Sequence, residues 1–429
     1  MDTSVQLYEA YAGQSISYNP PFMSALLRWL GGGTVGTALL VLINTVLLYG
    51  SFAVVAGAIA QVRRDQGVAA IAKWQAGLAI LVVLNPLIFL YAGIVWKDVL
   101  FASLMTSGSA CVIAASTGTT FRRYLMALAG IVLFTAALVT RQQGIFMVPV
   151  LILAMIIALW PRGARAQFLV VGLVVGFFVL SLAVLQHQVD KAIKPPQNPA
   201  TSVGFRNIMI FDLAGIVSNS DRGGSDYVFP ATDEQLRAIR ATYTPERIDT
   251  LDHTPFVQNW LGGLSTHDLR GAWWAMLKQN PGAYLTHRAA AYKKLLGIDG
   301  INGTLPIHVG VEGNPAYLAQ VGIEPGRNQR TQLVYDIARF YFDTPLYRHA
   351  FWLALLILVS AAAIYANLPK RLLAIAGSIS LATALMYASY LPTAIAADFR
   401  YLFGAIPLIM LLMFVVLLGW ARHERKIVD

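Results

Sequence analysis

Charge is the scarcest property of this sequence: Asp, Glu, Lys and Arg make up 13% of 429 residues, against roughly a quarter in a water-soluble domain. A solvated surface around one core is therefore excluded as the whole fold. Cysteine occurs once, at Cys111 within an apolar run, so no internal disulfide can form. His187, His253, His267, His287, His308 and His349 show no paired metal-ligand spacing, which leaves a zinc site without its signature. There is no Gly-rich phosphate loop after a strand, no nucleophile elbow and no HExxH, so soluble nucleotide-sugar chemistry has no motif to rest on. No repeat of fixed period occurs, and mirrored broken helices, the mark of inverted-repeat transporters, are missing as well.

What is abundant is apolar runs, 57% of residues being hydrophobic. Segments of about 20 residues, long enough to cross a bilayer as helix, fall at 35–60, 70–92, 100–118, 124–140, 144–160, 167–186, 349–366, 371–391 and 402–420. The expected fold class is an all-α polytopic membrane protein with these nine spans. Lys and Arg outnumber Asp and Glu by 32 to 22, and the cations cluster between apolar runs, which fits membrane topology rather than nucleic acid. Arg63-Arg64, Arg122-Arg123, Arg162 with Arg165, Lys370-Arg371, and Arg422 with Arg425-Lys426 follow alternate spans. The positive-inside rule makes those ends cytoplasmic.

Every other connection then lies outside. The expected organisation is outer interfacial helices over 1–34, six spans over 35–186, an extracytoplasmic domain over 187–348, and three spans with a cytoplasmic tail over 349–429. The domain is expected to be mostly helical, as Asp233 to Arg237 and Leu269 to Leu277 suit amphipathic helices, and Lys194-Pro195-Pro196-Gln197-Asn198-Pro199 concentrates its irregular residues. The chain starts outside with no preceding span to carry it there, so a tenth, N-terminal span is expected ahead of Asp2, the alternative being a short polar head that is translocated unaided.

Ionisable groups near a membrane face are costly unless paired, solvated or used. Asp2 precedes Gln6, Tyr8, Glu9 and Tyr11, residues suited to an interfacial helix that the Pro20-Pro21 pair stops; it is a candidate general base or a frayed terminal residue. Lys97-Asp98 at a membrane entrance offers a phosphate contact and a metal or acceptor ligand; the alternative is a snorkelling lysine beside a helix-capping aspartate. Arg141-Gln142-Gln143-Gly144 offers a planar fork for phosphate oxygens, or an ordinary loop arginine. Asp398-Phe399-Arg400-Tyr401 offers a second phosphate-binding cation oriented by an acid, or an interfacial ion pair with a tyrosine anchor.

This arrangement resembles the GT-C class of integral-membrane glycosyltransferases, which includes protein mannosyltransferases and lipid A aminoarabinose transferases. In that class one acid sits in or near interfacial helices of the first outer loop and a second acid sits in the next; Asp2 and Asp98 match these places. Tyr18-Asn19-Pro20-Pro21 is similar to the His-Pro-Pro turn that often follows the first acid, with Asn19 in place of His. Lys97-Asp98 with Phe101, Arg141 with Gly144, and Asp398-Arg400-Tyr401 resemble a bacterial subgroup. The motifs are short and cover most of the membrane part, whereas the outer domain is inserted between spans rather than C-terminal.

The resemblance implies a GT-C-like bundle in a bacterial inner membrane, with its active site on the periplasmic or extracellular side. It implies inverting transfer from a polyprenyl-phosphate sugar to a glycan, lipid or protein acceptor. Asp2 and Asp98 are then the expected catalytic acids, and Lys97, Arg141 and Arg400 bind donor phosphate. Asn19, Asp398 and Tyr401 support them, and Asp98 is the candidate ligand for a divalent cation, Mg or Mn. The region of Trp273-Trp274 and Asn280 to Arg288 is expected to cover the cleft, bind acceptor glycan, or serve as a structural cap. Two rivals use the same outer cations or face: a transporter or flippase for a lipid-linked saccharide, for which Asn44 and Asn85 are a thin polar supply, and a non-catalytic membrane scaffold.

Overall fold

The computed structural model describes residues 2–17, 19–68, 71–161, 163–195, 203–220, 231–366 and 368–420. Tyr18, Arg162, Pro196 to Pro199, Arg422, Arg425 and Lys426, and the side chain of Asp2, lie outside the described residues.

Each apolar run is a helix. In chain order they are α3 (Gly33–Asp65), α4 (Lys73–Val83) with α5 (Pro86–Ala92), α6 (Lys97–Thr117), α7 (Thr120–Thr140), α8 (Gly144–Leu159), α9 (Ala164–Ala192), α18 (His349–Tyr365), α19 (Lys370–Tyr390) and α20 (Ala405–Gly419). Two short helices precede them, α1 (Asp2–Ala12) and α2 (Phe22–Trp29). Six of the runs are helices long and apolar enough to cross a membrane, and the chain is a multi-pass α-helical membrane protein. The other three, α8, α18 and α20, are helices of 16, 17 and 15 residues, only about 22–26 Å at 1.5 Å per residue against a hydrocarbon core of about 30 Å.

The span over 70–92 is broken. Pro86 has no N–H to donate, so the helix stops before Asn85, whose side chain caps the restart by accepting from Leu87 N at 2.9 Å. Helix α6 occupies the bundle centre, with 89% of its apolar window buried. Its small residues set this position. The Ser107 hydroxyl donates to the Leu47 carbonyl of α3 at 2.8 Å, and a Cβ at Gly108 would lie 2.4 Å from the Phe134 ring of α7, so both neighbours approach closely. Helix α9 has only 6% of its window buried and turns Phe168, Leu173, Val179 and Leu180 outward. That face has lipid as its solvent.

Arginines close the bundle end away from the insert. Arg63 donates to the carbonyls of Leu418 at 3.0 Å and Trp420 at 3.1 Å, and Gln75 donates to Leu417 and Trp420, each at 2.9 Å. Arg123 donates to Ala158 O and Arg371 to Trp160 O, both at 2.8 Å. These are the carbonyls that the C-terminal turns of α20 and α8 leave unpaired, at the negative end of each helix dipole.

The insert holds α10 (Val203–Ser218), α11 (Asp233–Thr242), α12 (Asp249–Asp252), α13 (Pro255–Leu261), α14 (Thr266–Gln279), α15 (Pro281–Leu295), α16 (Pro315–Gln320) and α17 (Gln329–Phe340). It divides in two. Residues of α10 to α15 bury their own core, including Phe211, Leu213, Leu236, Ile239, Leu261 and Met276. Leu295, Ile307, Ala338 and Tyr347 instead join the core of the membrane bundle. The second half of the insert is thus laid directly over the end of the bundle.

Candidate functional site

The site lies where α6 begins, α7 ends and the segment between α19 and α20 crosses. Trp96 is the extended N-cap of α6, so Asp98 does not cap the helix with its side chain. Instead Asp98 is wholly buried and its carboxylate pairs with Arg141, which is 5% exposed. Arg141 is no surface loop residue. It also donates to the Tyr401 carbonyl at 3.1 Å and to the Tyr390 hydroxyl, and its guanidinium lies 5.8 and 5.6 Å from the ring centroids of Tyr390 and Tyr401. Gly144 permits this corner, since a Cβ there would lie 2.9 Å from Leu138 Cα. The close approach is to the protein's own backbone.

Arg400 stands on the other side of Tyr401. Its guanidinium is 5.4 Å from that ring and 5.1 Å from the Trp96 ring, distances at which aromatic faces hold cations. It pairs with Asp398 at 3.3 Å, and Asp398 also faces Arg247 at 3.6 Å. Burial raises the Asp398 carboxyl above its ordinary value, against the pull of Arg400 and Arg247. Lys97 donates to the Asn19 side-chain oxygen. Arg141, Arg247 and Arg400 therefore face Asp98 and Asp398 with positive charge in excess, in a corner walled by Trp96, Tyr390 and Tyr401.

The start of α1 reaches the same corner. The Thr3 hydroxyl donates to Val95 O at 2.6 Å, which sets the first turn of α1, where Asp2 stands, beside Trp96 and Lys97. Glu9, on the same helix, is spent structurally. It is wholly buried, and it accepts from Ile16 N and Ser17 N at 2.9 Å and from the hydroxyls of Ser17 at 2.8 Å and Ser24 at 2.7 Å. This carboxylate ties α1 to α2. Replacing Glu9 by Gln removes the charge and half the acceptor capacity, at an expected cost of about 1–3 kcal/mol; thermal unfolding in detergent measures it.

A second buried cluster, unread in the sequence, holds the first half of the insert together. Asp212 pairs with Arg288 at 2.6 Å and His287 at 3.3 Å, and accepts from the Trp273 indole at 2.7 Å. The Tyr243 hydroxyl lies 2.8 Å from His287 Nδ1. Neutral His287 satisfies both sides by donating from Nε2 to Asp212 and accepting at Nδ1 from Tyr243. Trp273 and Arg288 are thus committed to the interior, and of the aromatic pair only Trp274 is exposed. A Tyr, a Trp, an Asp and an Arg inside helical patterns were the available signal, but their convergence crosses 76 residues.

Burial lowers the pKa of His287 below its ordinary 6.5, with Asp212 opposing. The neutral form is the one the fold accommodates. Its stabilisation is complete above the unfolded value and declines as pH falls below about 6.5. Unfolding temperature is therefore expected to drop between pH 7.5 and 5.5 by a smaller amount in His287→Gln than in the wild type; identical slopes would remove His287 from the acid response.

Among the described residues no three His, Cys, Asp or Glu side chains come together, and the partner of the Asp98 carboxylate is Arg141. No known protein family, curated protein or solved structure matches the chain.

Proposed function

We propose that the chain is a GT-C-type glycosyltransferase that moves a sugar from a polyprenyl-phosphate donor to a glycan, lipid or protein acceptor on the extracytoplasmic side of a bacterial inner membrane. One observation carries this reading: Arg141 and Arg400 flank Tyr401, with Trp96 beside Arg400, at the end of an apolar bundle. A lipid-linked phosphate needs that combination of an apolar flank for its tail and fixed cations for its head.

The acceptor hydroxyl oxygen attacks the anomeric carbon while the bond from that carbon to the phosphate oxygen breaks. The phosphate leaves with the bonding electrons and is received by Arg400 and Lys97. The hydroxyl proton passes to Asp2, and single displacement inverts the anomeric carbon. Asp98 holds Arg141, and no metal step is assigned. The test is reconstitution with a panel of radiolabelled polyprenyl-phosphate sugars and membrane glycan extracts. Absence of transfer from every donor would sink the reading.

A flippase for a lipid-linked saccharide is the second reading. It is favoured by Asn44, whose side-chain amide is buried within α3 with no hydrogen-bond partner. Movement of a fluorescent lipid-linked saccharide across proteoliposomes without transfer would select it.

A further inference from the structure

The segment between α19 and α20 carries Asp398, Arg400 and Tyr401. The membrane bundle holds its later part, where the Phe399 ring stacks on His349 at 4.2 Å and His349 Nε2 donates to the Phe399 carbonyl at 2.8 Å, and the insert holds it from Ala394 onward. Arg288 Nη1 donates to Ala394 O at 2.7 Å, Ile248 N to Ile395 O at 2.8 Å, Ala397 N to Glu246 O at 2.7 Å and Phe399 N to Leu305 O at 3.1 Å. Arg247 faces Asp398 from the same side at 3.6 Å. The backbone bonds come from turn and loop residues between helices. Arg288 is different: it is 2% exposed, and its Nε is fixed by the wholly buried Asp212 at 2.6 Å.

Asp212 is fixed in turn. The Trp273 indole at 2.7 Å and His287 at 3.3 Å meet its two oxygens, and α10 approaches so closely that a Cβ at Gly215 would lie 2.1 Å from His287 Nδ1. The path from the core of the insert to the segment therefore consists of buried, charge-assisted contacts with no slack. The segment begins just past Tyr390 and ends at Tyr401, the two residues that hold Arg141.

We infer that Asp212 and Arg288 are positioning residues, a strut through which the insert fixes the 391–401 segment and thereby the spacing of Arg400 and Arg141. The consequence for donor binding rests on the proposed function; the mechanical part does not. Uncharged scaffolding would fill the same volume, but it would leave the Ala394 carbonyl without its donor.

The full chain in lipid nanodiscs is compared as wild type, R288K, R288M and the double variant D212N/R288M. R288M alone leaves Asp212 as a buried charge and is expected to lose fold. The double variant is neutral, its Asn oxygen still accepts from Trp273, and His287 can exchange tautomers, so it is expected to stay folded. Peptide-resolved hydrogen exchange is read over 391–403. Amides there are expected to exchange at least about tenfold faster in the folded double variant, with R288K between it and wild type. Undecaprenyl phosphate affinity is expected to fall about tenfold in parallel, and to show no further fall when R288K or the double variant is combined with R400A.

Exchange over 391–403 within twofold of wild type, in both folded variants, would overturn the strut. An affinity loss that adds in full to that of R400A would equally overturn it, because Arg288 would then act elsewhere. If wild type binds no lipid phosphate, the proposed function falls, and the exchange data alone still decide for or against the strut.

Discussion

Asn in place of Asp98 is expected to abolish most transfer, by at least about 10²-fold, and also to destabilise the protein by about 3–5 kcal/mol. From the sequence alone, this substitution reads as harmless to folding. The buried pair with Arg141 changes that expectation: Asp98 is wholly buried and Arg141 is 5% exposed, so the variant leaves a guanidinium without its countercharge. Thermal unfolding and radiolabelled transfer separate the two effects. The double variant Asp98→Asn with Arg141→Gln should regain much of the stability and none of the activity. An Asp98→Asn protein that melts and turns over like wild type would remove the pair from both roles.

Arg400→Met is expected to act mainly on the donor. Arg400 sits 14% exposed against Asp398, and Asp398 keeps Arg247 at 3.6 Å when Arg400 is gone, so no carboxylate is stranded and the fold should persist. A charge-assisted contact to phosphate is worth about 1.5–3 kcal/mol, which corresponds to a rise in donor KM of roughly 10- to 100-fold. Steady-state kinetics with varied polyprenyl-phosphate sugar decides it. A fall in kcat with KM unchanged would confine Arg400 to the departing phosphate, with no part in holding the bound donor.

The helices were legible because apolar runs of span length leave few alternatives, and each expected run is a helix. Their lengths were less so. Helices α3 (Gly33–Asp65) and α9 (Ala164–Ala192) run past the expected 35–60 and 167–186, because polar and charged residues continue a helix at the point where hydropathy alone ends it. Lys97, Asp98, Arg141, Asp398 and Arg400 stood out because charge is rare at such positions. What each does could not be read, since Asp98 as cap, metal ligand or ion-pair partner differs only in what arrives from another helix. Glu9 was visible as an acid, but the serines that bind its carboxylate lie up to 15 residues away. Tyr390 carried no sign of its role, because a tyrosine near a membrane face is ordinary.

The arginines at the far end of the bundle bear on how this protein is made. Arg63, Arg123 and Arg371 are among the cations whose distribution orients helices during insertion, yet each ends with its donors on the last carbonyls of another helix. The same side chain is thus needed first as a free charge and later as a latch between segments synthesised far apart: Arg63 waits 355 residues for Leu418. Charge-swap mapping of the topology would therefore report on assembly as well as direction. A chain released before α20 emerges would expose its latch unfilled, a state that membrane quality control could recognise.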